Sequence, residues 1–210
     1  MHPSPPLLKP RKKPVQARST LTMEAIFEAT IQVLGMVGLE RTNTARVAKR
    51  AGVSVGTLYQ YYPNKHALIA AVLERHLEQV ADAVEQACIQ YRGQAPAPMG
   101  IALAAAFVDA KLARPDVSGA LVAVAAEMDG AEVAARSAAR ITAAVAAMLL
   151  TCQVGKIAEP DTVAFVLLRA MGGVMQGVLE QGAALALGAA VRIELGHMCA
   201  AYLEQAASVR

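Results

Sequence analysis

The sequence predicts an all-α protein, and three observations carry that reading. Apolar residues recur at helical spacing through most of the 210 residues, and no stretch alternates apolar and polar residues as a half-buried strand would. Hydrophobic residues make up 55% of the chain but aromatic residues only 4%, an Ala/Leu/Val-rich composition typical of packed helices. Glycine and proline fall between the periodic stretches, as helix stops and starts should.

Residues 1–18 hold five prolines and five basic residues, Lys9, Arg11, Lys12, Lys13 and Arg18, and cannot bury a core. They are expected to be disordered when free, either reaching into a DNA minor groove or attracting phosphates generically. A first helix is predicted over 20–37, with Ile26, Val33, Leu34 and Val37 on one face and Gly38 as its stop. Two short helices follow, near 44–51 and 55–62. Asn64 then caps a long helix over 65–92 whose inner face carries Leu68, Val72, Leu73, Leu77, Val80 and Val84. The Gly93 to Pro98 segment is a loop, and further helices are predicted at 98–113, 117–128, 131–152, 161–181 and 187–207. Their breaks are Arg114-Pro115, Asp129-Gly130, Gly155 with Pro160, and Gly182.

The segment 44–65 organises the chain. Val47, Ala48 and Ala51 form one apolar stripe on a helix of about two turns, and Gly52 follows where only glycine reaches positive φ without a Cβ penalty. Val53 plugs the turn and Ser54 can cap the next helix. Leu58, Tyr61 and Tyr62 form that helix's inner stripe, and Pro63 ends it. Two helices meeting steeply need a short side chain at the crossing, which Ala48 supplies. This is a helix-turn-helix, whose second helix enters the DNA major groove.

The pattern Asn43-Thr44, Val47-Ala48, Ala51-Gly52-Val53-Ser54, Gly56-Thr57-Leu58-Tyr59, Tyr62 and Asn64-Lys65 resembles the signature of the TetR family of bacterial transcription regulators. The preceding Ile26, Ala29, Val33, Leu34 and Gly38 resemble that family's first helix. The likeness covers residues 20–75, about a quarter of the chain. After the basic tail at 1–18 it implies a three-helix DNA-binding domain at 19–66 and a larger helical effector-binding and dimerisation domain at 67–210, nine helices in all.

Charge supports a polyanionic partner. Residues 1–66 carry ten Lys/Arg against three acids, a net of +7, whereas residues 67–210 carry ten against fourteen, a net of −4. The mean hydropathy of +0.38 raises the membrane question. The longest charge-free run without proline is Ile141–Gly155, shorter than the ~20 residues of a spanning helix, so no membrane partner is expected. The start Met1-His2-Pro3 lacks the apolar region of a signal peptide, and Cys88, Cys152 and Cys199 read as reduced core thiols. A cytoplasmic protein is therefore expected. No cofactor, metal site or catalytic residue is expected either: His2, His66, His76 and His197 show no metal spacing, and neither a GxSxG motif nor a phosphate-binding glycine loop occurs.

On the second helix of the motif, Val55, Gly56, Thr57, Tyr59 and Gln60 should face outward. Val55 suits a thymine methyl, Gly56 permits close backbone approach, and Thr57 and Gln60 can bond base edges or phosphate. The resemblance implies that Tyr59 and Lys65 clamp phosphates on either side of the groove, that Thr44 does so from the preceding helix, and that Tyr61 faces the DNA. Arg46 and Lys49 are either further contacts or a solvated face. Leu58 and Tyr62 are structural. His66 stands where the family usually has an acid, and no role is assigned to it.

In the body, His76, Gln86, Glu127, Arg136, Arg140 and Gln176 are polar residues at otherwise apolar places and candidates for orienting an effector. Such residues are more often surface or satisfied core groups. A methionine-rich interior of few aromatics suits a hydrophobic effector. Gly172, Gly173 and Gly177 each cost about 1 kcal/mol inside a helix, which suggests that another backbone approaches closely. With Leu168, Met171, Met175, Val191, Leu195, Met198 and Tyr202 they resemble the family's four-helix dimer interface. The reading is a homodimeric regulator, a repressor by the family's majority behaviour, that binds a palindromic double-stranded operator and is released by a small molecule. The alternatives are a helical ligand-binding or interaction protein of the same fold without operator binding, or a helical enzyme, for which no activated nucleophile is visible.

Overall fold

The computed structural model describes residues 13–125 and 128–208, without the side chains of 13–18, 122–130, 185 and 208. Every regular element among them is helical: α1 (Lys13–Arg41), α2 (Thr44–Ala51), α3 (Val55–Tyr61), α4 (Lys65–Gln90), α5 (Pro96–Leu112), α6 (Pro115–Ala125), α7 (Met128–Leu149), α8 (Pro160–Glu180) and α9 (Ala184–Ser208). The protein is all-α, with a helix-turn-helix unit followed by a larger helical one. Two compact units divide between Lys65 and His66, so the first residue of α4 belongs to one and the rest to the other.

The sequence places α1 seven residues late. Pro14 sits in the first turn, where the missing N–H costs nothing, and no breaker separates it from Ser19. The expected disorder of residues 13–18 is thereby replaced by helix, while residues 1–12 of that tail lie outside the described residues. The stop at Gly38 is real: φ 75° and ψ 172° break the helix there, and Thr42 Oγ1 donates to the Gly38 carbonyl at 2.7 Å. The same preference explains why α5, α6 and α8 begin one or two residues earlier than their apolar pattern, each with proline as its first residue.

In the first unit Ile26, Ala29, Val33, Leu34, Val47, Ala48 and Leu58 are buried. In the second, Val80, Val84, Met99, Leu103, Val108, Val145, Met148, Leu167, Met171, Met175, Leu195, Cys199 and Leu203 make one continuous core. The most extensive helix pair is α5 with α9. A glycine makes it possible: a Cβ on Gly100 would lie 2.7 Å from both the Ala200 nitrogen and the Cys199 carbonyl carbon, which are backbone atoms and cannot step aside alone.

Among the described residues two helical stretches, Ser19–Arg41 and Pro160–Glu180, are long and apolar enough to cross a bilayer, the latter with a mean hydropathy of 1.6. Counting only charge-free runs overlooked them, because Asp161, Arg169 and Glu180 interrupt α8 without cancelling its apolarity. That apolarity is divided between two faces. Val163, Ala164, Leu167, Met171, Met175 and Val178 are buried in the chain's own core, while Phe165, Val166 and Val174 are exposed.

Gly100→Ala should lower stability by about 1–3 kcal/mol through overpacking, although the same change ordinarily stabilises a helix interior by about 1 kcal/mol. Urea melts of both proteins check the sign; equal or higher stability in the variant would remove the crossing as the reason for this glycine.

Candidate nucleic-acid interface

The helix-turn-helix is built by caps as much as by core. Asn43 accepts from Arg46 N at 2.9 Å and opens α2. Gly52, at φ 69°, closes it, so that the Val53 amide reaches back to the Ala48 carbonyl at 3.0 Å. Ser54 caps α3 by accepting from Thr57 N at 2.9 Å, and its hydroxyl lies 2.8 Å from that of Thr57. Leu58 faces the buried Val47 and Ala48 side of the unit and is itself fully buried, which turns the opposite side of α3 outward.

On that outward side lie Val55, Gly56, Tyr59 and Gln60, all exposed. Thr57 is half-buried and partly committed to Ser54. A Cβ on Gly56 would meet only Ser54 Oγ, at 3.7 Å, so the fold does not require glycine there.

Two hydroxyl pairs flank the exposed surface of α3. Thr44 Oγ1 lies 3.1 Å from the Tyr59 hydroxyl, and Ser19 Oγ lies 3.2 Å from the Tyr61 hydroxyl. The first pair joins two residues expected to touch phosphate. The second ties Tyr61, half-buried on the inner stripe of α3, to α1 through its hydroxyl. Ser19 was missed because nothing local links it to a tyrosine 42 positions away. Lys65 is also half-buried, and its ammonium donates to the Leu39 carbonyl at 3.4 Å, past the break in α1. Two of its N–H groups stay available to an anion. Tyr62 packs against Phe27 with ring centroids 6.0 Å apart, which makes it structural. Arg46 and Lys49 are exposed on α2, whereas Arg50 donates to Gln32 at 2.6 Å and braces α2 against α1.

In the body, the polar candidates separate. Arg136 pairs with Glu74 at 3.1 Å and Glu132 at 2.9 Å, and Arg140 with Asp82 at 2.7 Å and Glu85 at 2.6 Å, all partly exposed. These arginines rim an open groove of ≈ 420 Å³ between α4 and α7 with Leu77, Val133 and Ser137, and do not project into the interior as expected. Gln86 is exposed on α4, and Gln176 is exposed and donates to Glu180 at 2.8 Å, so neither points inward. Glu127 lies outside the described residues. Only His76 is interior, 5% exposed.

His76 Nε2 lies 3.0 Å from Ser118 Oγ, which donates its one proton to the Lys111 carbonyl at 2.7 Å. Ser118 must therefore accept from His76, and the neutral imidazole carries its proton on Nε2. Burial first, then the charges of Lys111 and Arg114, lower its pKa to about 4, with Asp116 opposing.

The expected dimer residues also fall into two sets. Met171, Met175 and Leu195 are buried in the chain's own core and are thereby corrected as surface residues. Leu168, Val191 and Tyr202 are partly buried against that core. Gly173 and Met198 are exposed, Gly172 and Gly177 half-buried, and a Cβ on any of the three glycines would meet nothing within 4 Å.

A capped, outward-facing second helix on a basic unit, followed by a helical body, defines the class of helix-turn-helix transcription regulators. Residues 26–72 match the family model of bacterial regulatory proteins of the tetR family, and residues 96–203 match the tetracyclin repressor-like C-terminal domain. The chain belongs to the TetR family. Over 71 residues it is 39% identical to the nucleoid occlusion factor SlmA of Haemophilus ducreyi, and over 64 residues 36% identical to the HTH-type transcriptional repressor KstR of Mycolicibacterium smegmatis. These matches span 33% and 31% of the relatives' own lengths, about a third in each case. The fold is similar to a transcriptional regulator of Rhodococcus, with a TM-score of 0.72 at 22% identity, covering 90% of this chain and 98% of that one. It is similar also to a TetR family regulator of Marinobacter aquaeolei, with a TM-score of 0.67 at 22% identity and the same coverage.

The lowered pKa of His76 has a definite sign in stability. Above pH ~6.5 the imidazole is neutral folded and unfolded; as pH falls toward 4, the unfolded chain takes up a proton that the fold excludes. The loss should be on the order of 2 kcal/mol by pH 5. His76→Gln keeps a donor for Ser118 and removes the titration, so its stability difference between pH 7.5 and pH 5 should be smaller by that amount in urea melts. Equal acid sensitivity in both proteins would show that His76 is not the group responsible.

Proposed function

We propose that this regulator is a homodimeric repressor that docks two α3 helices on a palindromic operator and releases it when a small molecule binds the body. The observation that carries the DNA reading is the pairing of the Thr44 and Tyr59 hydroxyls beside the open face of Val55, Gly56 and Gln60. Two hydroxyls held 3.1 Å apart at the edge of a groove-sized helix are placed to straddle one phosphate oxygen while Gln60 reaches base edges. Ser19 with Tyr61, and Lys65, would hold the backbone on the other flank. On this reading the protein works on chromosomal DNA in the cytoplasm.

Homodimerisation is supported by the face of α8 that the chain leaves uncovered, with Phe165, Val166 and Val174 exposed and Gly173 open. A twofold partner would cover it and set two α3 helices about 34–36 Å apart, one turn of DNA. Release follows if an effector shifts α4, which runs unbroken from Lys65 to Gln90. Effector and operator then oppose each other by the same factor, whichever is bound first.

Tyr59→Phe and Lys65→Ala should each weaken operator binding by about 1–3 kcal/mol in fluorescence anisotropy, and Lys65→Ala should also flatten the salt dependence by about one phosphate contact. Genomic fragments selected by gel shift supply the operator; unchanged affinity in both variants would move the docking face elsewhere.

Gly173→Leu tests the dimer, because Gly173 is exposed and within one chain a Cβ there meets nothing within 4 Å. The variant should sediment as a monomer, or dimerise at least tenfold more weakly. A wild-type dimer constant would place the interface away from α8.

A further inference from the structure

We propose that α3 reads A·T pairs: a notch over Gly56, walled by Val55, takes the 5-methyl of a thymine, and Gln60 takes an adenine. The inference rests on the docking reading above and names the bases that α3 selects.

The first support is what α3 lacks. From Val55 to Tyr61 it holds no lysine, arginine, aspartate or glutamate. Guanine is read in the major groove by Arg or Lys on its O6 and N7, and cytosine by an acid that accepts from its N4 amine. The cations of the unit stand elsewhere. Arg46 and Lys49 are exposed on α2, the helix that crosses the backbone in this motif. Arg50 donates to Gln32, and Lys65 lies beyond the end of α3 and donates to the Leu39 carbonyl.

The second support is what remains once the engaged groups of α3 are set aside. Leu58 is buried. The Tyr59 hydroxyl lies 3.1 Å from Thr44 Oγ1, and the Tyr61 hydroxyl 3.2 Å from Ser19 Oγ. Thr57 is half-buried, its hydroxyl 2.8 Å from that of Ser54. Val55, Gly56 and Gln60 are left, all exposed, and no described residue hydrogen-bonds the Gln60 amide. A carboxamide matches adenine on two atoms, donating to N7 and accepting from the N6 amine.

The third support is Gly56 itself. Its φ is not positive, and a Cβ there would meet only Ser54 Oγ at 3.7 Å, an ordinary contact. Neither backbone nor packing asks for glycine, which a helix interior disfavours. The missing Cβ leaves a notch the size of one methyl on the outward face. Val55 stands beside it and Gln60 one turn further along. The 5-methyl of thymine is the apolar group that an A·T pair presents in the major groove. Positions 56 and 60 are about 6 Å apart along the helix, against roughly 3.4 Å between base pairs, so the thymine and the adenine lie one or two pairs apart.

The test selects duplexes from a randomised pool with the full-length protein, then places base analogues one position at a time in the selected site. Uracil for thymine removes only the 5-methyl, and 7-deazaadenine for adenine removes only the N7 acceptor. Both changes leave base pairing and the minor groove intact. At one position in each half-site uracil should weaken the wild type at least about threefold, and Val55→Ala by less. Gly56→Ala should bind the thymine site at least about tenfold more weakly and regain part of that loss on the uracil site. It should also unfold in urea no earlier than the wild type, which separates a lost contact from a lost fold. One or two pairs away, 7-deazaadenine should weaken the wild type at least about fivefold and Gln60→Ala no further. G·C pairs at these positions, analogues bound as tightly as the natural bases, or full affinity in Gly56→Ala would each overturn the A·T reading and leave docking standing. A pool from which no sequence is enriched would overturn docking itself, and this inference with it.

Discussion

A seven-residue helix cannot hold itself together in water, and the DNA-facing chemistry of this chain depends on one. Nucleating a helical turn fixes several residues for a single hydrogen bond, so α3 is held by its surroundings. Leu58 buried beside Val47 and Ala48 supplies the anchor, while Ser54 and Tyr62 satisfy the ends. The same anchor decides what faces out: with Leu58 inward, Val55, Gly56, Tyr59 and Gln60 have nowhere else to point. Specificity for a base sequence is therefore paid for by an interaction that touches no base.

The larger unit solves a different problem, the tight assembly of many long helices of small residues. Alanine and glycine let α5 and α9 approach until backbones touch, and long unbranched methionines on α5, α7 and α8 fill what is left. The polar groups inside are few, and among the described residues no buried side-chain nitrogen or oxygen lacks a hydrogen-bond partner, with the chain Lys111 carbonyl, Ser118, His76 as the instance that crosses three helical segments. Ion pairs of Arg136 and Arg140 with acids of α4 decorate the outside and contribute little, since exposed pairs are screened by water.

The sequence makes the order of elements legible because its punctuation is chemical. Gly38, Gly52 and Gly182 adopt positive φ where stops were read, and Pro96, Pro115 and Pro160 open helices near where breaks were read. The outward face of α3 could be read as well, since its inner stripe is local. What could not be read is pairing across distance. Ser19 with Tyr61, Lys65 with Leu39, and His76 with Ser118 are each separated by at least 26 residues, and no periodicity announces them. Arginines were misplaced for a related reason: amphipathic period alone does not say whether a polar residue at the edge of an apolar stripe finds an acid on the neighbouring helix.

The three cysteines give the body a chemical clock. Cys88 and Cys199 are buried, and burial raises both thiols to about 11, so at neutral pH roughly one in ten thousand is the reactive thiolate. Alkylating reagents reach those sulfurs only when the core opens, whereas Cys152 is half-exposed in the turn after α7, donating to the Val154 carbonyl. One fast label and two slow ones on a single chain would separate fraying of the surface from opening of the interior, and any molecule that settles inside the body should lengthen the slow phase without touching the fast one.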